Sequence, residues 1–255
     1  MDRFQGSADR YAASRPGYPE RLLKALSEAI LQEPPQAGGV VADVGSGTGI
    51  FTRQLRAMLP AATPVVGIEP ASDMRLKAAA MSALTHGIAY TDGLAQQLPL
   101  AAGSARAVVA ATAAHWFDRP TFYAEAHRVL MPSGILAIAE YVRDDAGSPA
   151  AAAVVDFLAR HGGPRAYVRP NYPAELEHAA GFANFRHLTV PVTLQLTAEA
   201  FTGLALSSSH ARAAIEALGE ATAVTMLKQM VAPCVSGDGR IPYGYIFHLL
   251  TVRRD

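Results

Sequence analysis

The sequence predicts an α/β protein with a doubly wound, mostly parallel, seven-stranded Rossmann-like sheet and a helical cap formed by late insertions. Strand-like and helix-like patterns alternate through the first half of the 255 residues, as they do in stacked βα units. A turn with glycine at positions 45, 47 and 49 follows the first predicted strand, and Glu69 and Asp92 lie at the ends of the next two. Because ligands bind at the carboxyl ends of parallel strands, these residues predict a binding site at that edge.

Hydrophobic periodicity and turn signals place the individual elements. Strands are predicted over residues 40–44, 65–68, 88–91, 107–111, 135–142, 187–196 and 243–252. Helices are predicted over residues 19–31, 50–59, 72–84, 121–130, 150–160, 174–180, 198–207 and 211–230. Ser72 is the predicted N-cap of the third helix, and a turn is predicted at residues 132–134 before the fifth strand.

We predict a single domain over residues 1–255. Within it, residues 1–35 form an N-terminal helical cover, and residues 36–142 form a cofactor-binding core. Residues 143–186 and 197–242 are not needed for a minimal sheet of this type. Insertions of this kind between late strands commonly close over a binding site, so both segments are predicted to form the cap.

Composition excludes several classes of partner. The 22 basic and 22 acidic residues balance, and no basic stripe with interleaved aromatic residues predicts nucleic-acid binding. Cys234 is the one cysteine, which excludes an internal disulfide, and the eight histidines lack metal-ligand spacing, so no metal is expected. The longest apolar runs, such as residues 107–114, are too short to cross a membrane. Because the N-terminus also lacks a secretory pattern, we expect a cytoplasmic monomer or homodimer that binds small molecules.

The glycine turn is the most informative local pattern. Glycine permits positive φ and lets a ligand contact the main chain, while the following helix offers free N–H groups. A dinucleotide site of the G-x-G-x-x-G type would need glycine where Ile50 stands, and a phosphate-binding P-loop would need a nearby lysine. The turn therefore predicts a nucleoside-containing ligand without a pyrophosphate, and S-adenosylmethionine fits best; the alternative is a tight turn that binds nothing.

Acidic and apolar residues after the second and third strands extend this site. The carboxylate of Glu69 can accept hydrogen bonds from both hydroxyls of a ribose, or it is an ordinary exposed residue at a strand end. Met74 can pack on an adenine face or belong to the core. Asp92 can accept from the adenine amino group, but the Asp92-Gly93 pair is also a turn signal by itself. Leu94 is a candidate apolar wall.

Four segments carry a resemblance to a known family. They are residues 43–49 (DVGSGTG), 66–70 (VGIEP), 91–100 (TDGLAQQLPL) and 127–136 (HRVLMPSGIL). With them, residues 4–142 resemble the class I S-adenosylmethionine-dependent methyltransferases of the "methyltransferase type 11" kind. Asp92-Gly93-Leu94 departs from the commoner Gly-Asp-Ala order. The acidic residue is displaced by one position, which weakens the case that Asp92 binds the adenine.

Two further segments resemble the trans-aconitate-methyltransferase-like subgroup, namely residues 11–19 (YAASRPGYP) and 113–118 (AAHWFD). The first implies that Tyr11 and Arg15 meet the methionyl carboxylate of the cofactor, although Arg15 is equally well a charge at the start of a helix. The second implies a loop beside the sulfonium and the acceptor.

The residues and the resemblance together give a set of candidate site residues. The candidates for cofactor binding are Tyr11, Arg15, Asp43, Gly45, Ser46, Gly47, Gly49, Glu69, Pro70, Met74, Asp92, Gly93, Leu94 and Thr112. The candidates for acceptor binding are Tyr18, His115, Trp116, Tyr141 and His210.

The predicted reaction is in-line transfer of a methyl group to oxygen, nitrogen or carbon of a small organic acceptor, with a carboxylate among the candidates. Alignment of the reacting atoms supplies most of the gain. His115 is the candidate general base, and it is needed only if the acceptor keeps its proton; otherwise it is a wall residue beside Trp116. Two alternatives stay open: a non-methylating cyclase or isomerase of the same fold, and a binding protein with a degenerate site, against which the glycine turn and Glu69 argue.

Overall fold

The computed structural model describes residues 17–32, 39–162, 169–207 and 209–255, with the backbone alone at residues 209 and 210. Within these residues seven strands form one sheet. The strands are β1 (Val40–Val44), β2 (Val65–Ile68), β3 (Ile88–Thr91), β4 (Ala105–Ala111), β5 (Leu130–Arg143), β6 (Phe182–Leu196) and β7 (Ile241–Arg254).

The strand order is β3-β2-β1-β4-β5-β7-β6. Strands β1 to β5 pair in parallel, and β7 runs antiparallel to both β5 and β6. The chain turns outward from β1 toward β3 and then returns to the other side of β1 at β4. This reversal opens a crevice at the carboxyl ends of β1 and β4, where ligands bind in open sheets of this type.

Helices follow the strands on both faces of the sheet. They are α1 (Glu20–Leu31), α2 (Ile50–Met58), α3 (Ser72–Met81), α4 (Arg119–Val129), α5 (Pro149–His161), α6 (Tyr172–Glu177), α7 (Ala198–Leu206), α8 (Ser209–Leu218) and α9 (Glu220–Val231). Short 3₁₀ helices span Ala114–Trp116 and Ala232–Cys234.

Two hydrophobic cores cover the sheet, one on each face. One core joins α1, α2, α5 and α7–α9 to the strands, with Leu26, Leu55, Phe157 and Phe201 all fully buried. The other joins α4 and α6 to the opposite face through residues such as Phe122. Because neighbouring residues of a strand point to opposite faces, both cores use the same strands, and the predicted α/β architecture is confirmed.

The element boundaries differ from the sequence prediction in three places. Ala71, and not Ser72, is the N-cap residue of α3. The predicted turn at residues 132–134 lies within β5, as a bulge in which residues 131–134 stand opposite Arg106 alone. The predicted helix over residues 211–230 is two helices, α8 and α9, because Gly219 has a φ of 79° and breaks the helical path.

Smaller differences concern element ends. α3 ends at residue 81 instead of 84, and α6 covers residues 172–177 instead of 174–180. β6 begins five residues earlier than predicted, with a register shift near Asn184, whose φ is 56°. Within the residues that the structure describes, no helix is both long enough and apolar enough to traverse a bilayer.

Candidate functional site

The glycine turn lies between β1 and α2 and has left-handed backbone at each of its glycines. The φ angles of Gly45, Gly47 and Gly49 are 71°, 54° and 74°. The Gly45 N–H donates to the Ile68 carbonyl at the end of β2, at 2.8 Å. A side chain at position 47 would point into open space, with no heavy atom within 4 Å of its Cβ. The turn is thus anchored to the sheet on one side and leaves room for a ligand at its middle glycine.

Tyr90 of β3 supports this turn from below, a contact that the sequence pattern did not indicate. A Cβ at Gly49 would lie 2.2 Å from the Tyr90 hydroxyl oxygen, and one at Gly67 would lie 2.4 Å from its ring. The Tyr90 hydroxyl also lies 2.9 Å from Ser82 Oγ. These two positions therefore need glycine because the tyrosine ring occupies the side-chain space of both.

The carboxylate of Glu69 meets the glycine turn directly. Its Oε2 accepts a hydrogen bond from the Gly47 N–H at 3.0 Å, and its Oε1 accepts one from the Ala71 N–H at 2.9 Å. A carboxylate offers about four acceptor positions, so roughly two are left for a ligand. Two backbone bonds fix the group at the carboxyl end of β2, next to the open middle of the turn.

Asp43 is buried at the carboxyl end of β1. It is fully inaccessible to solvent, and Thr52 Oγ1 of α2 donates to its Oδ2 at 2.6 Å. Burial raises the pKa of Asp43 to about 7, an effect that the Thr52 hydrogen bond opposes and the nearby charge of Glu69 reinforces. The carboxyl group is therefore poised between its neutral and charged forms near neutral pH.

Three buried polar atoms around the turn have no hydrogen-bond partner within the described part of the chain. They are Asp43 Oδ1, Ser46 Oγ and Thr48 Oγ1. Buried polar groups are normally satisfied, so such a cluster indicates a place where a ligand or water completes the hydrogen bonds. The unsatisfied atoms, the open middle glycine and the carboxylate of Glu69 fit the polar groups of a nucleoside-containing cofactor.

Arg75 of α3 joins the ends of β2 and β3 and was missed in the sequence. Its Nη1 donates to the carbonyls of Glu69 at 2.6 Å and Pro70 at 2.8 Å, and it pairs with Asp92 Oδ1 at 3.1 Å. Asp92 is exposed and restrained by this ion pair. Its two predicted roles, adenine acceptor and turn residue, both stay open.

The other candidates on this side lie close to the same strand ends. A Cβ at Gly93 would lie 2.8 Å from both Ile68 Cγ2 and Pro99 Cδ, so close packing requires glycine there. Met74 is buried in α3, whereas Pro70 and Leu94 are exposed.

The loop after β4 packs on the glycine turn. A Cβ at Gly45 would lie 2.6 Å from Ala113 Cβ and 3.2 Å from Phe117 Cζ. Between these two residues, His115 and Trp116 stand in the short 3₁₀ helix with ring centroids 4.8 Å apart. His115 is half-buried and Trp116 is exposed, so both rings lie at the rim of the crevice.

Thr112, Tyr18 and Tyr141 form a second group at this edge. Thr112 has a φ of 51°, a strained value for a β-branched residue, and its Oγ1 lies 2.6 Å from the Tyr18 hydroxyl. The Tyr18 ring makes edge contacts with Phe51 at 4.8 Å and with Tyr141 at 6.2 Å between centroids. The structure thus brings the predicted acceptor residues Tyr18 and Tyr141 to the end of β4.

Three predicted residues lie outside what the structure describes. Tyr11 and Arg15 fall in residues 1–16, and the side chain of His210 is not described. Their predicted roles therefore stay predictions.

Comparison with known proteins gives the class first. The chain resembles a solved structure of a protein described as a type II methyltransferase from Anaeromyxobacter dehalogenans, with a TM-score of 0.70 and 25% identity over 94% of this chain and 97% of that one. It shares its fold, at 15% identity and a TM-score of 0.59, with a phosphoethanolamine N-methyltransferase of Haemonchus contortus, covering 99% of this chain and 58% of that one. The architecture is that of the class I methyltransferases.

Sequence comparison then gives the family. Residues 42–138 match the family model described as a methyltransferase domain. An uncharacterized methyltransferase of Mycobacterium tuberculosis is 33% identical over 144 residues, which are 56% of this chain and 53% of that protein. A Dictyostelium discoideum protein named as a methyltransferase is 29% identical over 140 residues, 55% and 49% of the two chains. Residues 42–138 thus resemble a methyltransferase domain, and the chain spans about half the length of the curated relatives it matches.

Proposed function

We propose that the protein transfers a methyl group from S-adenosylmethionine to a small organic acceptor. The observation that carries this proposal is the position of Glu69. Its carboxylate is fixed by the Gly47 and Ala71 N–H groups beside the open glycine turn, and it keeps acceptor positions for two vicinal hydroxyls. A ribose presents such a pair of hydroxyls, and the absence of a glycine at position 50 and of a P-loop lysine argues against a pyrophosphate.

The comparisons support the same donor. The Haemonchus contortus enzyme with this fold was solved with phosphomonomethylethanolamine and S-adenosylhomocysteine. The match of residues 42–138 covers the end of β1, the glycine turn and Glu69, which are the parts of the chain that would hold the donor. We find no feature that favours a non-methylating cyclase or isomerase.

The chain's own residues would hold and orient the donor, which when bound supplies a methyl group on a sulfonium. Glu69 accepts from the ribose, and the main chain of the glycine turn offers a surface without side chains. Asp43, Ser46 and Thr48 supply the buried acceptors and donors that the described residues leave unsatisfied. Arg75 holds Asp92 at the adenine end by its ion pair. The gain expected from this arrangement is alignment, which is the main requirement of an in-line displacement.

On the acceptor side, we infer that the loop after β4 and the tyrosines at the end of the sheet form the wall. His115 and Trp116 lie at the rim, and the Tyr18 hydroxyl is fixed by Thr112. We infer that the cap on this side is formed by α5 and α7–α9, which pack in the same core as Tyr18 and the tyrosines of β7. His115 acts as a base if the acceptor must lose a proton; if the acceptor is already an anion, the ring serves to position it.

Glu69→Ala tests the donor site. We expect this change to weaken binding of S-adenosylhomocysteine by roughly 1.5–3 kcal/mol, or about 10- to 150-fold, since hydrogen bonds to a charged group are lost. Glu69→Gln, which keeps one acceptor oxygen, should lose less. Isothermal titration calorimetry measures both, and Glu177→Ala, at an exposed position of α6, is the matched control. Unchanged affinity in Glu69→Ala would show that this carboxylate does not bind the ribose.

Turnover tests the reaction itself. The protein is incubated with S-adenosylmethionine, labelled at the methyl group, and an extract of candidate metabolites. We expect label to appear in a small molecule together with one equivalent of S-adenosylhomocysteine. Tight donor binding without any S-adenosylhomocysteine would contradict the transferase proposal.

A further inference from the structure

Arg143 and three tyrosines form a cluster at the edge of the sheet where the donor site lies. Arg143 and Tyr141 end β5, while Tyr243 and Tyr245 begin the antiparallel strand β7. Arg143 pairs with Tyr245 in the register of these two strands. Side chains of directly paired residues share one face of a sheet, so the tyrosines and Arg143 lie together on the face that α1 and α5 cover.

The guanidinium of Arg143 is half-buried and has no carboxylate partner among the described residues. Its Nε donates to the Tyr243 hydroxyl at 2.8 Å. The neighbouring acid, Asp144, instead accepts from the Gly147 N–H at 2.8 Å. Some other arginines are paired with acids, for example Arg119 with Glu175 at 2.7 Å, whereas the buried Arg56 donates instead to four backbone carbonyls. Since removing a cation from water is costly unless it is paired, Arg143 is prepared for an anion.

The tyrosines around Arg143 are suited to the same task. Tyr243 is fully buried and Tyr245 is 4% exposed, and burial is the main cause that raises the pKa of both phenols above the ordinary value. Both phenols are therefore neutral at physiological pH, and the Tyr243 oxygen accepts from the Arg143 guanidinium. The rings of Tyr243 and Tyr141 each stand edge-on to Tyr245, with centroids 5.1 Å and 5.2 Å away. This packing fixes the hydroxyl that holds Arg143.

A continuous row of contacts connects this cluster to the end of β4. Tyr141 contacts Tyr18, whose hydroxyl lies 2.6 Å from Thr112 Oγ1. The Thr112 N–H donates to the Ala139 carbonyl, and Arg143 stands four residues further along β5. Four residues of extended strand span about 13 Å. An anion held at Arg143 would thus lie about 13 Å along the sheet from an atom placed beside Thr112.

We propose that Arg143, held by Tyr243, is an anion-recognition subsite for the methyl acceptor. The acceptor would then be a small molecule with a carboxylate or phosphate group at one end and the methylated atom at the other. A guanidinium suits both groups, because its planar fork of N–H donors matches two oxygens of either. This proposal rests on the proposed methyl transfer for the identity of the site, but anion binding can be measured without any turnover.

The test measures binding of three probes to the full chain in the presence of saturating S-adenosylhomocysteine. Succinate, inorganic phosphate and the neutral analogue succinamide are titrated by calorimetry. We expect at least one of the two anions to bind tenfold or more tightly than succinamide, and the tighter of the two tells whether the subsite prefers carboxylate or phosphate. Arg143→Gln should abolish this preference, while Arg143→Lys, which keeps the charge but not the fork, should retain part of it.

Arg240→Gln is the matched control. It removes one positive charge at the start of β7 from an exposed arginine that donates to the Gln195 carbonyl. This variant should keep the anion preference of the wild type. Tyr243→Phe removes only the hydroxyl that holds Arg143, so it should weaken anion binding while the charge is retained.

Two results would overturn the subsite. One is equal binding of the anions and succinamide by the wild type, and the other is an undiminished preference in Arg143→Gln. The donor site is judged separately, by the affinity for S-adenosylhomocysteine in the same samples. If the wild type does not bind S-adenosylhomocysteine, the proposed function is refuted. If it binds S-adenosylhomocysteine but shows no preference for the anions, only the subsite is refuted.

Discussion

The carboxyl group of Asp43 combines a structural position with an incomplete set of hydrogen bonds. One oxygen accepts from Thr52, and the other has no partner among the described residues. A fully buried carboxyl in this state favours the neutral form, which is why its pKa is raised to about 7. A ligand donor at the free oxygen would shift this balance toward the carboxylate.

This raised pKa predicts the pH dependence of stability. The folded state holds the Asp43 proton more tightly than the unfolded chain, whose carboxyl titrates near 3.8. Asp43 therefore contributes to the free energy of unfolding fully below about pH 4, and this contribution is lost as the pH rises toward 7. It amounts to a few kcal/mol, at about 1.4 kcal/mol per pKa unit. We expect Asp43→Asn to match the wild type in urea unfolding at pH 4 and to exceed it at pH 8.

The comparison with the variant is needed because another group titrates in the opposite sense. Burial lowers the pKa of His248 to about 4, so its contribution is lost as the pH falls from 6.5. That contribution is the same in the wild type and in Asp43→Asn, and it cancels in their difference. A difference that does not change between pH 4 and pH 8 would contradict the role assigned to Asp43.

Thr112 stores backbone strain at the end of β4. Its φ of 51° is in the left-handed region, where residues with a Cβ are disfavoured by roughly 1–2 kcal/mol. Thr112→Gly and Thr112→Ala both remove the hydroxyl bonded to Tyr18, so their difference isolates the backbone term. We expect the glycine variant to be the more stable by about 1 kcal/mol in urea unfolding. Equal or greater stability of the alanine variant would show that position 112 is not strained.

The positions of some candidate site residues could be read from the sequence because they are set locally. Asp43 lies at the end of β1, and the glycines of the turn and Glu69 directly follow β1 and β2, so finding the strands also locates them. Tyr90, Arg75 and Arg143 were missed because their contacts join segments that are distant in sequence. Arg143, for example, meets Tyr243 across 100 residues, and no spacing pattern connects them.

At the scale of elements, the sequence located strand interiors better than strand ends. β5 and β6 both begin several residues before their predicted starts, and each contains a bulge. Hydrogen bonds to the neighbouring strands continue on both sides of the bulge, although the residues there have poor strand propensity. The break between α8 and α9 had a visible signal in Gly219, but the apolar periodicity on both sides of it predicted one helix. Position 219 needs glycine for its backbone conformation, with φ 79° and ψ 146°.

Gly219→Ala therefore tests the break between the two helices. A Cβ at this position would meet no atom within 4 Å, so only backbone strain opposes it, at roughly 1–3 kcal/mol for a conformation that is essentially restricted to glycine. Gly237→Ala is the matched control, since its Cβ would also meet nothing and its φ is not in the left-handed region. We expect a loss of stability in chemical denaturation at position 219 only. Similar effects at both positions would mean that the helix break does not depend on this φ.

For the molecule as a whole, one sheet has a hydrophobic core on each face and a single reversal of strand order, at β1. The proposed donor residues come mainly from β1, β2, β3 and the segments after them, whereas the proposed acceptor residues come from Tyr18 before α1, the loop after β4, β5 and β7. Both groups meet at one edge because β7 starts where β5 ends. The alternation of strands and helices predicted this division in outline. The cluster of Arg143 with the tyrosines of β5 and β7 depends on the register between these two strands, which the sequence does not reveal.

This arrangement predicts how ligands stabilise the whole chain. A ligand that binds only the folded state at a hundredfold excess over its Kd adds about 2.7 kcal/mol, which for a protein of this size raises the unfolding temperature by roughly 5–10 °C. S-adenosylhomocysteine should produce this shift in a thermal unfolding experiment. NAD and ATP at the same concentration should not, because the turn has Ile50 where a dinucleotide site needs glycine and has no lysine for a P-loop. A larger shift with NAD than with S-adenosylhomocysteine would assign the crevice to a dinucleotide, while no shift with any of the three would mean that the glycine turn does not form a nucleoside site in the folded protein.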